Sequence, residues 1–172
     1  MMGLKTIIKW GLWLGVAVSL GTQILTWLGL GLTNWFVLLS YVLVIVFLIF
    51  GLNELKNHDK IKFNFLNALL VIIGIIIISR LIFQTYMFIY TRYIDPSWID
   101  NVSETWSISL QESGIASDKI DQQIKSFRKS YETLAMFTSS LISYAIPQFV
   151  IGIIVSIIFV LTNKKKSVKK SN

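Results

Sequence analysis

Cysteine is absent from the 172 residues, histidine occurs once, at His58, proline occurs twice, and only 15% of the residues are charged. Without cysteine there is no disulfide framework, thiolate metal site, thiol nucleophile or lipid-modified cysteine, and one histidine cannot build a histidine-rich metal site. So little charge cannot wet the surface of a soluble domain of this length, which excludes a soluble enzyme fold. The familiar catalytic patterns are missing as well: no H-E-x-x-H, no G-x-S-x-G, no glycine-rich phosphate loop and no intramembrane carboxylate pair. No enzymatic activity and no cofactor or metal is therefore expected.

What is present is apolar. Hydrophobic residues make up 54% of the chain, and four runs, at about 7–32, 35–55, 65–90 and 139–162, are long enough to cross a hydrocarbon core of roughly 30 Å. They are too few and too continuous for a barrel of short alternating strands. The expected fold is all-α: one integral membrane four-helix bundle, with an outward loop at about 91–137 and a basic tail at 163–172. A cleavable signal peptide competes for the first run, because Lys5 and Lys9 are basic and Ala17-Val18-Ser19 resembles a cleavage site. The apolar stretch continues to Leu32, which suits an uncleaved anchor better.

Orientation follows from the basic residues. Lys5 and Lys9 at the head of the first span, Lys56, Lys60 and Lys62 in the hinge between spans two and three, and Lys164, Lys165, Lys166, Lys169 and Lys170 in the tail belong inside. With Glu54 and Asp59 they give the inner segments a net +8. The last connection carries five basic residues against seven acids, a net −2, and belongs outside; Arg80 supplies the remaining positive charge of the +7 total. Amino and carboxyl termini are thus expected in the cytoplasm. Trp27, Trp35, Phe36, Tyr86, Tyr90, Tyr93, Trp98 and Trp106 fall where the outer interface should lie, the layer that amphipathic rings favour.

The outward loop reads as two amphipathic helices. Asp95-Pro96 resembles a helix start, followed by Ile99, Val102, Trp106 and Leu110 at helical spacing. Ser113-Gly114 breaks that helix. A second starts near Ser117, which can cap it, and carries Ile120, Ile124, Phe127, Tyr131 and Leu134 on one stripe. Both stripes fit packing against headgroups, span ends or each other, and also fit a lid for an envelope partner. Asn101-Val102-Ser103 is a formal glycosylation triplet that carries meaning only in a secreted eukaryotic chain.

Inside the bilayer, Arg80 is the most informative residue. Near mid-membrane it must face protein or water, and Gln84 follows one turn outward on the same face. The first span presents Gly11, Gly15, Ser19 and Gln23 at four-residue spacing; the fourth presents Gln148, Gly152 and Ser156 likewise, a helix-packing pattern. Counting about 1.5 Å per residue from each span's centre places Gln23, Gln84, Gln148, Ser40 and Tyr41 at one level, a polar layer around Arg80 in the outer half of the bundle. Interhelical hydrogen bonding or snorkelling is the plain reading of that layer, and an anion, lipid-headgroup or transport site the sharper one. Pro147 beside Gln148 can kink the fourth span. Glu54, His58 and Asp59 stand among the hinge lysines and read as a solvated turn, leaving no intramembrane acid to neutralise Arg80. The tail KKKSVKK suits anionic lipid and, lacking interleaved aromatics, does not imply nucleic acid.

Four stretches taken in order, LKTIIKWGLWLGV, GLNELKNHDKIKFNFLNALLV, SGIASDKIDQQIKSFRKSYE and PQFVIGIIVSIIFVLTNKKK, resemble the domain-of-unknown-function 4199 family of small Bacteroidota membrane proteins. The chain departs from the family pattern at 61–66 and in the wider spacing of Pro147 and Gly152. The resemblance implies a multi-span bacterial inner-membrane protein with a periplasmic loop, and it carries over no catalytic or ligand-binding residue. The expected partners are membrane lipids, with anionic lipid at the basic tail, and a second copy or an envelope protein. The expected function is non-enzymatic, through membrane packing, lipid contact or association; the alternative is a small transporter or channel component around Arg80.

Overall fold

A computed structural model of the protein describes residues 2–28, 34–57, 63–132 and 134–169, with side chains at 3–28, 38–57, 63–131 and 145–162. His58, Asp59, Lys60 and Lys62 of the hinge, the side chains of Trp35, Phe36 and Leu134, those of 139–144 and the tail lysines lie outside the described set. Six α-helices follow one another: α1 (Met2–Trp27), α2 (Asn34–Lys56), α3 (Phe65–Ile89), α4 (Trp98–Glu112), α5 (Ser117–Glu132) and α6 (Leu134–Lys169), with one π-helical turn, Tyr90–Ile94, after α3. Among the described residues there is no strand.

Four of these helices are long and apolar enough to cross a membrane: α1, α2, α3 with its π turn, and α6. α4 and α5, at 15 and 16 residues, reach only about 22–24 Å at 1.5 Å per residue, too short to span. α6 is 36 residues, about 54 Å, and therefore overhangs the bilayer. The spans form a ring in the order α1, α3, α6, α2, with α2 and α3 also meeting across the diagonal. Its centre is filled by Leu14, Val44, Leu48, Leu52, Ile72, Ile75 and Ile76, all essentially inaccessible, and Ala68. The outer faces keep their leucines and isoleucines exposed, which suits a protein whose solvent is lipid tails.

In lipid, burying an apolar side chain against another helix gains little over leaving it in hydrocarbon, so helices associate where their backbones come close enough for dense contact. Glycine supplies that approach here. A Cβ on Gly11 would lie 2.7 Å from the Cβ of Ile78 and 3.2 Å from the Ile75 carbonyl; one on Gly15 would lie 2.8 Å from the Ile82 Cβ and 3.0 Å from the Ser79 carbonyl. α1 thus runs parallel to α3 with its glycine ridge on the α3 backbone. Ser19 continues the ridge, buried, with its hydroxyl donating to the Gly15 carbonyl at 2.8 Å. Across the bundle, Gly152 of α6 accommodates the Ile72 methyl at 2.5 Å from where a Cβ would sit. Ser156 follows it fully buried, its hydroxyl without a hydrogen-bond partner among the described residues. Gly51 meets Ile75, and Gly74 meets Ile7; neither belongs to a four-residue repeat of small residues, so no spacing pattern singled them out.

Helix ends depart in detail from the sequence expectations. α3 starts at an Asn64 cap, whose side chain accepts from the Asn67 amide at 2.8 Å. α4 begins at Trp98 and not at Pro96, because Asp95 is taken up elsewhere: its amide closes the wide π turn onto the Tyr90 carbonyl at 2.8 Å, and its carboxylate accepts from Ser97 at 2.6 Å. At the start of α5 the Ala116 carbonyl receives the amides of Lys119 and Ile120, and Ser117 is the first helical residue. Gly114 reverses the chain between α4 and α5 at φ +74°, a left-handed conformation that glycine adopts without cost.

α4 and α5 pack on each other. Trp106 meets Phe127 edge-on at 5.6 Å, Trp98 meets Tyr131 at 6.0 Å, and Arg128 pairs with Asp100 at 2.8 Å. Of the sequence stripes, Val102 and Ile120 are buried and Ile99, Leu110 and Ile124 half-buried.

Replacing Gly15 by alanine is expected to cost about 1–3 kcal/mol, because the new methyl meets backbone. A Cβ on Gly21 would meet only the ends of two flexible side chains, Leu39 at 3.3 Å and Leu43 at 3.9 Å, and Gly21→Ala should stay within about 0.5 kcal/mol. Denaturant-induced or thermal unfolding of the two variants in the same micelles checks the difference; equal losses contradict the seam.

Candidate functional site

α3 carries polar groups on two faces. Toward α6, Arg80 donates from Nε to the Oε1 of Gln148 at 2.8 Å. Gln148 is buried, Arg80 is half-buried, and the guanidinium carbon lies 5.9 Å from the Phe83 ring centroid. The match follows from antiparallel packing: four residues further along α6, Gly152 seats Ile72, which lies eight residues toward the start of α3. Pro147, inside α6 and exposed, has no amide to return to the preceding turn, which loosens the helix beside the arginine's acceptor. The bond carries charge to a neutral amide, stronger than a neutral pair but without cancelling the cation. Gln84 is buried one turn further along α3.

Toward α1, the Tyr86 hydroxyl donates to the Oε1 of Gln23. Tyr86 stacks on Tyr90 with ring centroids 5.8 Å apart, and the Tyr90 hydroxyl reaches the Asp95 carboxylate at 3.4 Å. Arg80 and Tyr86, six residues apart, lie about 120° apart around the helix. The level expected as one layer thus contains two pairs on different seams, Arg80 with Gln148 and Gln23 with Tyr86. Ser40 and Tyr41 are half-buried on α2. Tyr86 stood in the sequence only as an interfacial ring; that its hydroxyl would find Gln23, 63 residues away, left no local signal.

A third polar cluster corrects the reading of Glu54. Glu54 is not part of a solvated hinge turn: α2 continues to Lys56 and turns this carboxylate onto α1. Its Oε1 accepts from Thr6 at 3.0 Å, and its Oε2 accepts from Lys9 at 2.7 Å and from the Trp10 indole at 2.9 Å. Thr6 is fully buried. Trp10 is held by Phe47 and Phe50 of α2, with ring centroids at 6.0 and 5.4 Å, and Lys9 lies 4.7 Å over its ring. Every donor comes from one turn of α1, so the carboxylate ties the start of α1 to the end of α2. Lys9 and Glu54 also fall inside the first two spans as bounded from the sequence, so Glu54 is an acid within the spans where none was expected. Among the described residues, no three His, Cys, Asp or Glu side chains gather as a metal site would require.

Two outcomes follow. Glu54→Ala should lower the unfolding midpoint more than Lys9→Ala, since it strands the Thr6 hydroxyl and the Trp10 N–H, while a partly exposed ion pair alone contributes about 0–1 kcal/mol; equal shifts contradict a three-donor clamp. A double-mutant cycle on Arg80→Leu and Gln148→Leu should give a coupling of about 0.6–1.7 kcal/mol in unfolding experiments, the range for interhelical hydrogen bonds in bilayers. Strict additivity would remove the pair as a link between α3 and α6.

Neither a curated protein nor a solved structure matches the chain. A family described as protein of unknown function, DUF4199, matches residues 9–160. That stretch begins at Lys9 and ends beyond Ser156, taking in Glu54 with its donors Lys9 and Trp10, the Gly11–Gly15 and Gly152 contacts of α3 and the α4–α5 hairpin. With most of its length matched, including the greater part of each of the four candidate membrane helices, the chain belongs to the DUF4199 family.

Proposed function

We propose that this protein is a non-enzymatic, multi-pass protein of the bacterial inner membrane, whose four-helix bundle anchors the α4–α5 hairpin on the periplasmic side for association with a second copy or another envelope protein. The observation that carries this reading is the set of glycine-closed seams. Gly11 and Gly15 lock α1 to α3, Gly152 locks α6 to Ile72, and Gly51 brings α2 onto Ile75. Seams this close favour a rigid support over helices that slide in an alternating-access cycle. Above the support, α4 and α5 pair through Trp106 with Phe127 and Trp98 with Tyr131, a self-supporting unit that can be offered to a partner. Orientation rests on the basic residues: those of the inner segments and tail favour the cytoplasm, and the tail favours anionic lipid.

A second reading, a small transporter or channel component holding an anionic solute or lipid headgroup near Arg80, draws on the Arg80–Gln148 pair. It is the weaker of the two. The pair spans a single seam, and four spans would need an oligomer to enclose a path.

The absence of native cysteine makes the test direct. A cysteine in place of exposed Glu112 should react with a membrane-impermeant maleimide in intact spheroplasts, and one in place of Ser167 only after lysis. A photocrosslinker at Ile108, which is 50% exposed on α4, should give a discrete adduct in native membranes. Reversed labelling contradicts the orientation, and a protein that stays monomeric and uncrosslinked contradicts the association.

A further inference from the structure

We infer that the groove between α4 and α5 is a binding site for a phosphate-bearing anion. The groove is open to its surroundings, has a volume of about 460 Å³ and is lined by Ser107 of α4 and by Asp121, Ile124, Lys125, Arg128 and Lys129 of α5. Three cations face one acid there, while the whole outward connection carries a net −2; positive charge is thus gathered locally against the trend of its surroundings. Lys125, Arg128 and Lys129 stand at i, i+3 and i+4, one side of a helix, where like charges repel. Among the described residues, neither Lys125 nor Lys129 has an ion-pair partner; Arg128 is held by Asp100 at 2.8 Å. Set against Asp121 and Asp100, the three cations leave a net +1 at the groove, and an anion there relieves the repulsion among the basic side chains.

The donor set favours phosphate over a lone carboxylate. Two ammonium groups, a guanidinium and the Ser107 hydroxyl can surround an acceptor with several oxygens, whereas a carboxylate offers two. Ile124 and the lysine stems give an apolar wall for the remainder of the ligand. A phospholipid headgroup and a soluble phosphate compound share this chemistry. The inference does not depend on which side of the membrane the hairpin faces, so it stands or falls separately from the proposed orientation.

The test uses the full chain in neutral micelles with two probes: inorganic pyrophosphate, followed by calorimetric titration, and phosphatidylglycerol against phosphatidylcholine, followed by the shift in unfolding temperature. Saturable binding of at least one probe is expected, weakening as salt is raised. Lys125→Gln/Lys129→Gln, at two exposed positions, should bind at least about tenfold more weakly, while Lys119→Gln, on α5 outside the groove, should bind as the wild type does. Binding of pyrophosphate alone assigns a soluble ligand, and a response to phosphatidylglycerol alone assigns a headgroup. Binding of neither, undiminished binding by the double variant, or an equal loss in Lys119→Gln overturns the site.

Discussion

The close approach of α1 to α3 is the constraint from which the other contacts follow. A helix pair in lipid has no hydrophobic gain from association, so contact density must hold it, and density requires the backbones to come near. Gly11 and Gly15 bring α1 against the Ile75 and Ser79 carbonyls of α3. Once those two helices are parallel and in register, Gln23 stands at the level of Tyr86, while Thr6, Lys9 and Trp10 are left on the side of α1 that meets Glu54 of α2. The Gln23–Tyr86 pair is a consequence of that register and resists sliding of α1 along α3, and the Glu54 cluster resists sliding of α1 along α2.

α3 is the shared element. Its α1 face is matched to glycine, and its α6 face to Gly152 and Gln148, so the most apolar part of the chain also carries the central arginine. The arginine is tolerable where it is because an antiparallel neighbour delivers an amide oxygen at its depth. At its C-terminal end the π turn closes onto Asp95 and leads into α4. A wide turn of this kind redirects the chain without a break in hydrogen bonding, and it joins the bundle to a hairpin with its own aromatic contacts.

Much of this was legible in the residues themselves. Four spans, the Gly11–Gly15 and Gly152–Ser156 ridges and the two outer amphipathic helices announce themselves through run length and helical spacing, because those signals are local. Four things were not. Glu54 looked solvated because it is followed by lysines, and its donors lie 44–48 residues away on another helix. Gly51 and Gly74 sit singly, and a single glycine in a span gives no sign of which side chain will fill it. The pairing of Gln23 with Tyr86, and of Arg80 with Gln148, depends on angular position around α3, and depth counting alone places them at one level. The start of α4 lies two residues beyond Pro96, because the Asp95 amide closes the preceding π turn and its carboxylate accepts from Ser97.

The parallel register of α1 on α3 can be read directly by disulfide formation between introduced cysteines in native membranes, on a background that has no cysteine of its own. The pairs Gly11→Cys/Ile78→Cys and Gly15→Cys/Ile82→Cys place their Cβ atoms near each other and are within a small shift of disulfide geometry. Gly11→Cys/Ile82→Cys is offset by a full helical turn, about 6 Å. Rapid oxidation of the first two pairs and none of the third is the expected result; equal oxidation of all three, or crosslinking of the offset pair alone, would contradict the seam.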